Sequence, residues 1–217
     1  MKLLKFDFEN EISNIIKLIT NTCCIVCDTE SKGHRLCEKC AEKINSPSPG
    51  FLIHNNMRIY YYGLYKEALS DFIIAYKYNN HHSLSKEFSK MLYKAIIAHN
   101  ISFEIVTYIP ATKSAKKKRG YDHMKLIAKE FSKITNIPYI NVLIAVRETD
   151  QLTAKNRQEA VKGKFMLHED SSYVIKDKSV LLIDDVYTTG STMREALNIL
   201  KIYGAKEVIP LVIAMNR

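Results

Sequence analysis

Two clusters in this sequence combine residue types and spacings that can do chemistry. The first is a pair of Cys-x-x-Cys motifs, Cys24-Ile-Val-Cys27 and Cys37-Glu-Lys-Cys40, with nine residues between them. One such pair clamps a tetrahedral Zn2+ ion with two thiolates, and a second pair closes the site. The short spacer predicts a tight, knuckle-like ribbon. Cys23 stands next to Cys24 and is an alternative first ligand. Cys24 is preferred because it makes the Cys-x-x-Cys turn. Four thiolates leave no open position for substrate, so the expected role of the metal is structural. His34, between the pairs, reads as a loop residue.

The second cluster is Val180-Leu-Leu-Ile-Asp184-Asp185-Val-Tyr-Thr188-Thr189-Gly190-Ser191-Thr192. Its apolar start reads as a strand buried on both faces, which delivers two adjacent carboxylates to its C-terminal end. A loop of hydroxyls and glycine follows, and a helix begins at Ser191 or Thr192. Backbone N–H groups at a helix start, with Thr and Ser hydroxyls beside them, form an anion site. Gly190 allows close backbone approach. Two carboxylates beside a phosphate cradle suit ribose hydroxyls or metal-bound water. Capping alone accounts for Ser191 and Thr192, but not for charge directly after a buried strand. No Gly-Lys-Ser/Thr is present, which excludes ATP hydrolysis of the P-loop kind.

The 217 residues include 32 Lys+Arg and 23 Asp+Glu, a formal net charge of +9. The excess is local. Residues 1–50 hold seven cations and seven anions, whereas Lys113–Lys164 holds thirteen cations and five anions. Lys113, Lys116, Lys117, Lys118 and Arg119 form the densest run. Such a field points to a polyanionic partner: a phosphorylated small molecule, nucleic acid or an anionic membrane surface. Hydrophobic residues at 47% and charged residues at 25% exclude a disordered or fibrous chain. No segment reaches the roughly 18 apolar residues of a membrane span. The start is interrupted by Asp7, Glu9 and Glu11 and is unlike a secretion signal. A cytoplasmic location is expected, where metal binding by thiols is favoured over disulfides.

The elements that must position these residues follow from periodicity. Ser46-Pro47-Ser48-Pro49-Gly50 marks a boundary between residues 1–50, a helix near Ile12–Ile19 plus the zinc ribbon, and a larger domain over 51–217. Met57–Tyr62, Glu104–Ile109, Val142–Val146, Val180–Ile183 and Val208–Ile213 read as strands. Glu67–Tyr78, Leu84–Ala98, Asp122–Ile134 and a segment from Ser191 to Tyr203 read as helices. Lys113–Arg119 reads as a basic loop. Strands alternating with helices predict an α/β fold with a mainly parallel sheet.

Val180–Thr192 resembles the phosphoribosyl-pyrophosphate (PRPP) signature of type I phosphoribosyltransferases. With the cysteine pairs, the arrangement resembles the ComF family of competence proteins. Ala75-Tyr76-Lys77-Tyr78 is similar to that family's Lys-Tyr segment, and Ile109-Pro110 to its proline-bearing strand end. Arg119-Gly120-Tyr121-Asp122 resembles its Arg-Gly-aromatic-Asn block, and 157–163 with Phe165 its later Arg/Phe block. Asp122 and Ala160 stand where the family has Asn, and Ala111 where it has a second proline. Gln151 lies closer to Arg157 than the family's pattern has it.

The resemblance implies a type I phosphoribosyltransferase-like sheet flanked by helices. It assigns Asp184 and Asp185 to the ribose hydroxyls of PRPP and Thr188, Thr189, Gly190, Ser191 and Thr192 to its 5-phosphate. Lys116, Lys117, Lys118 and Arg119 would meet the pyrophosphate, bridged by Mg2+, or the phosphates of DNA. Arg147 and Arg157 would belong to a flexible loop over the site. The implied role is in natural transformation, handling incoming single-stranded DNA beside competence proteins such as a helicase and a membrane channel. The alternative is a working transferase passing ribose 5-phosphate from PRPP to an acceptor. Stacking on DNA bases would call on exposed tyrosines, although most of Tyr60, Tyr61, Tyr62, Tyr65, Tyr76, Tyr78 and Tyr187 are expected in the core.

Overall fold

The computed structural model of the chain describes residues 23–31, 34–79, 81–146, 163–168 and 171–216. The helix expected near Ile12–Ile19 and the loop containing Arg147 and Arg157 lie outside the described residues. After the cysteine ribbon comes helix α1 (Glu38–Asn45). Strands β1 (Gly50–His54) and β2 (Met57–Leu64) form a hairpin, with His54 opposite Met57. Helices α2 (Glu67–Tyr78) and α3 (Ser85–Ala98) follow, then β3 (Ile105–Tyr108). Next are α4 (Lys113–Arg119), α5 (His123–Thr135), β4 (Leu143–Ala145), β5 (Phe165–Leu167) and the short α6 (Ser172–Ile175). Strand β6 (Ser179–Tyr187), helix α7 (Ser191–Ile202) and strand β7 (Glu207–Met215) complete the order.

The main sheet has the order β1-β2-β7-β6-β3. All of its pairings are parallel except β1 with β2. The expectation of a mainly parallel sheet covered by helices therefore holds. β6 lies in its interior with β7 on one side and β3 on the other, which is why Val180–Ile183 must be apolar on both faces. Leu181 and Ile183 join the cluster under α2, α3 and α5, while Val180 and Leu182 join the one under α7. Pro210, opposite Leu182 in β7, is tolerated in an interior strand because β2 joins β7 only from Leu211 onward.

Two expectations change. Lys113–Arg119 is a helix rather than a loop. Thr112 caps it by accepting from the Ala115 N–H at 3.2 Å, every residue in it except Ser114 is a good helix former, and Gly120 ends it in the left-handed region. Its four terminal cations sit at the end where the helix dipole favours positive charge. The Val142–Val146 segment supplies β4, but β4 pairs antiparallel with β5 in a separate two-stranded ribbon. Three apolar-alternating residues are too few to distinguish the two settings by pattern.

The ribbon end of the chain is fastened to the large core by α1. Ile44 is fully buried in the same cluster as Phe72 and Phe88, and the Tyr62 hydroxyl donates to the Ile44 carbonyl at 2.9 Å. Ile44→Ala is therefore expected to lower stability by about 2–4 kcal/mol in urea unfolding. A change below about 0.5 kcal/mol would show that α1 docks independently of the core.

Candidate functional site

The site grows from the end of β6. Successive strand residues point to opposite faces, so Asp184 and Asp185 part company. Asp184 takes the face of Val180 and Leu182, on which α7 packs. Asp185 takes the face of α2 and α5 and is buried. There Lys77 Nζ, from the end of α2, lies 2.7 Å from Asp185 Oδ2. His123 Nε2, from the start of α5, donates to the same oxygen at 2.5 Å. Oδ1 has no partner among the described residues. Burial alone would push the Asp185 carboxyl up, but Lys77 and His123 outweigh it and hold the group well below the usual carboxylate range.

Asp184 behaves oppositely. Burial, then the neighbouring Asp185 charge, raises its carboxyl well above the ordinary value. Its Oδ1 accepts from the Asp185 N–H at 2.9 Å, which offsets only part of this. Asp184 is thus a half-buried carboxylate with no ion pair among the described residues, beside a loop suited to an anion. That is a fitting place for a hydroxyl donor or for Mg2+ brought in by a pyrophosphate.

Beyond β6, Thr188 and Thr189 are exposed and Gly190 adopts φ +75°. A Cβ at residue 190 would run into the ring of Tyr187, so glycine is required for space as well as for backbone conformation. Tyr187 is itself pinned, its hydroxyl 2.6 Å from His54 Nδ1 in the β1–β2 hairpin. No side chain caps α7, which leaves the amides of its first turn facing the loop beside the Ser191 and Thr192 hydroxyls.

The basic helix α4 reaches this strand end through a chain of contacts. Arg119 NH1 lies 2.9 Å from His123 Nδ1, and the Tyr76 hydroxyl donates to the His123 carbonyl at 2.8 Å. The Tyr121 hydroxyl donates to the Tyr76 carbonyl. Asp122 accepts from the Lys125 N–H at 3.3 Å and pairs with Lys116 at 2.9 Å. The side chain that departs from the Asn pattern therefore both caps α5 and ties down α4. Tyr78 is 54% exposed, with Lys118 and Arg119 at 5.5 and 5.4 Å from its ring centre. Lys117 projects into solvent.

Two participants, Lys77 and His123, were not among the candidates drawn from the sequence. Lys77 lies inside a segment quoted for the family resemblance, and His123 directly follows one. Their partner Asp185, however, is 108 and 62 positions away in the chain. No local pattern reports such pairings. Of the seven tyrosines, Tyr62, Tyr76 and Tyr187 are buried, Tyr60, Tyr61 and Tyr65 are half-buried against the core, and Tyr78 is an exposed ring beside cations.

Some 155 residues of the chain are 30% identical to Competence protein F of Haemophilus influenzae, covering 67% of this chain and 67% of that protein. The chain belongs to the competence protein F/ComFC family. Competence protein ComFC of Streptococcus pneumoniae is 28% identical, over 66% of this chain and 62% of its own length. Its Bacillus subtilis namesake is 23% identical, over 83% and 72%. A phosphoribosyl transferase domain matches residues 115–217, which carry α5, β6 and α7. The fold is that of the type I phosphoribosyltransferases.

The Sγ atoms of Cys24, Cys27, Cys37 and Cys40 all lie within 4.8 Å of one another, and Cys23 is not among them. Cys27 and Cys37 are 3.7 Å apart, against about 3.8 Å for the edge of a tetrahedron with Zn–S of 2.3 Å. The Thr29 hydroxyl and N–H hold the Cys27 thiol down at about 6, while burial, then the neighbouring thiols, pushes Cys40 up. Four such crowded sulfurs form a cluster that could hold a metal ion.

Opposite outcomes are expected for the two aspartates. A lowered carboxyl stabilises the fold above its unfolded-state value, about pH 4, and that contribution is lost as pH falls towards the folded value. A raised one costs stability as pH climbs from about 4 through its folded value. Asp184→Asn should therefore raise the melting temperature by about 2–4 °C at pH 8 and leave it unchanged at pH 3.5. Asp185→Asn strands Lys77 and should cost about 3–5 kcal/mol at pH 8. Equal effects of the two substitutions would sink this assignment. For the cysteines, elemental analysis should find one zinc per chain in the parent and none in Cys37→Ser/Cys40→Ser.

Proposed function

We propose that the chain binds PRPP, or a closely related phosphoribosyl ligand, with Mg2+ at the end of β6. We propose further that it acts in natural transformation by handling incoming single-stranded DNA in the cytoplasm. The observation that carries the first part is the convergence, within 184–192, of a carboxylate with no ion pair among the described residues, a hydroxyl loop and a helix start with no side-chain cap. In this reading Asp184 and the open Oδ1 of Asp185 accept the ribose hydroxyls. Thr188, Thr189, Ser191, Thr192 and the amide of Gly190 hold the 5-phosphate. Lys116–Arg119 offset the charge of the pyrophosphate, whose bound Mg2+ neutralises the remainder. Zn2+ held by Cys24, Cys27, Cys37 and Cys40 is structural and stiffens the ribbon that α1 anchors to the core.

The DNA part is supported by the exposed Tyr78 ring lying among Lys118 and Arg119, a combination of stacking face and phosphate-binding charge suited to single strands. The relatives' names, as competence proteins, point the same way.

Calorimetry with Mg2+ and PRPP tests the first part. The parent should bind, and Asp184→Asn should weaken binding at least about tenfold, as expected for loss of a charge-assisted hydrogen bond. Absence of binding by the parent, or undiminished binding by the variant, overturns it. For DNA, Lys117→Gln/Lys118→Gln should reduce the slope of log affinity against log salt by about 0.7 per charge removed. An unchanged slope removes α4 from the DNA surface. Release of pyrophosphate only when an acceptor is supplied would move the reading to a working transferase.

A further inference from the structure

His123 is buried, 5% exposed, and both of its ring nitrogens are engaged. Its partners are of opposite kinds. Arg119 is a donor only, so the ring nitrogen facing it, Nδ1, must accept. The Asp185 carboxylate is an acceptor, so Nε2, facing it, must carry the proton. One tautomer satisfies both contacts, and the Tyr76 hydroxyl on the His123 carbonyl fixes where the ring starts. Lys77 reaches Asp185 from the other side and lands on the same oxygen, Oδ2. Two donors on one oxygen fix the carboxylate's rotation and leave Oδ1 without a partner among the described residues.

From this geometry we propose that His123 is a positioning residue that couples the ribose-facing carboxylate of Asp185 to the cationic helix α4 through Arg119. The inference rests on the proposed PRPP reading of the strand end and adds how its two halves are held in register. The ring transmits orientation rather than charge. If Arg119 swings towards a pyrophosphate, its N–H leaves Nδ1 and the proton on Nε2 stays with Asp185. If the ribose pulls Asp185, the ring follows and draws Arg119. Binding of the sugar and binding of the pyrophosphate are therefore linked through a single imidazole. A ligand that carries both groups should gain over one that carries either alone.

The test uses the full chain and four variants: His123→Phe, His123→Gln, Arg119→Gln and the double variant His123→Phe/Arg119→Gln. Phenylalanine keeps the ring volume but neither polar contact. The two ends of a glutamine amide can donate to Asp185 and accept from Arg119. Calorimetry with Mg2+ and PRPP should show His123→Phe about tenfold weaker and His123→Gln within about threefold of the parent. Arg119→Gln should weaken the parent about tenfold and His123→Phe by distinctly less, what remains being the direct charge of Arg119 on the pyrophosphate. Additive losses, or His123→Phe binding like the parent, overturn the proposal while leaving the PRPP reading intact.

A parent that fails to bind PRPP overturns that reading and the ligand role of His123 with it. Thermal melts show whether His123→Phe remains folded; if it does not, His123→Gln is still informative through PRPP binding and Arg119→Gln through nitrogen NMR of the His123 imidazole. That spectrum of the parent should show a protonated Nε2 and a bare Nδ1, with the Nδ1 resonance moving in Arg119→Gln. A proton on Nδ1 in the parent overturns the proposal without reference to any ligand.

Discussion

A carboxylate buried at the end of an interior strand must be neutralised, and much of this molecule is arranged around that requirement at Asp185. Removing one charged partner from a buried pair costs several kcal/mol, so the elements that supply Lys77 and His123 cannot drift. Helix α2 must end where Lys77 reaches β6. Helix α5 must begin where His123 does. Because His123 also holds Arg119, the corner between α4 and α5 is set by the same carboxylate. The segments Tyr76-Lys77-Tyr78 and Arg119-Gly120-Tyr121-Asp122-His123 are then two sides of one joint: Tyr121 closes on the Tyr76 carbonyl and Tyr76 on the His123 carbonyl.

Adjacent aspartates with opposite electrostatics follow from strand geometry. The pleat sends one towards a lysine and an imidazole N–H supplied by helices, and the other to a face where no described residue pairs with it. The first gives rigidity and the second readiness to accept a donor.

Much of this was legible in the chain. The wholly apolar Val180–Ile183 could only be an interior strand, and Gly190 followed by Ser-Thr could only be a loop entering a helix. The cysteine spacing allowed one compact arrangement, and geometry selects Cys24 over Cys23 within it. What escaped was of two kinds. Long-range partners such as Lys77 and His123 carry no periodic signature, so the pairing with Asp185 emerges only once helices and sheet are assembled. The basic run reads as a loop because its charge density masks local propensity: lysine and arginine are good helix formers, and Thr112 and Gly120 are the caps. The β1–β2 hairpin went half unseen, since Gly50–His54 follows a proline-rich stretch that reads as a linker.

That hairpin bears on portability. His54 grips Tyr187, and Tyr187 occupies the space that a side chain at residue 190 would need. The curvature of the hydroxyl loop is therefore not encoded by Val180–Thr192 alone; part of it is imposed by a strand pair more than a hundred residues earlier in the chain. Transplanted into another parallel sheet without an antiparallel neighbour, the same thirteen residues would have the right letters and the wrong bend. A short sequence signature here is the visible portion of a longer mechanical part.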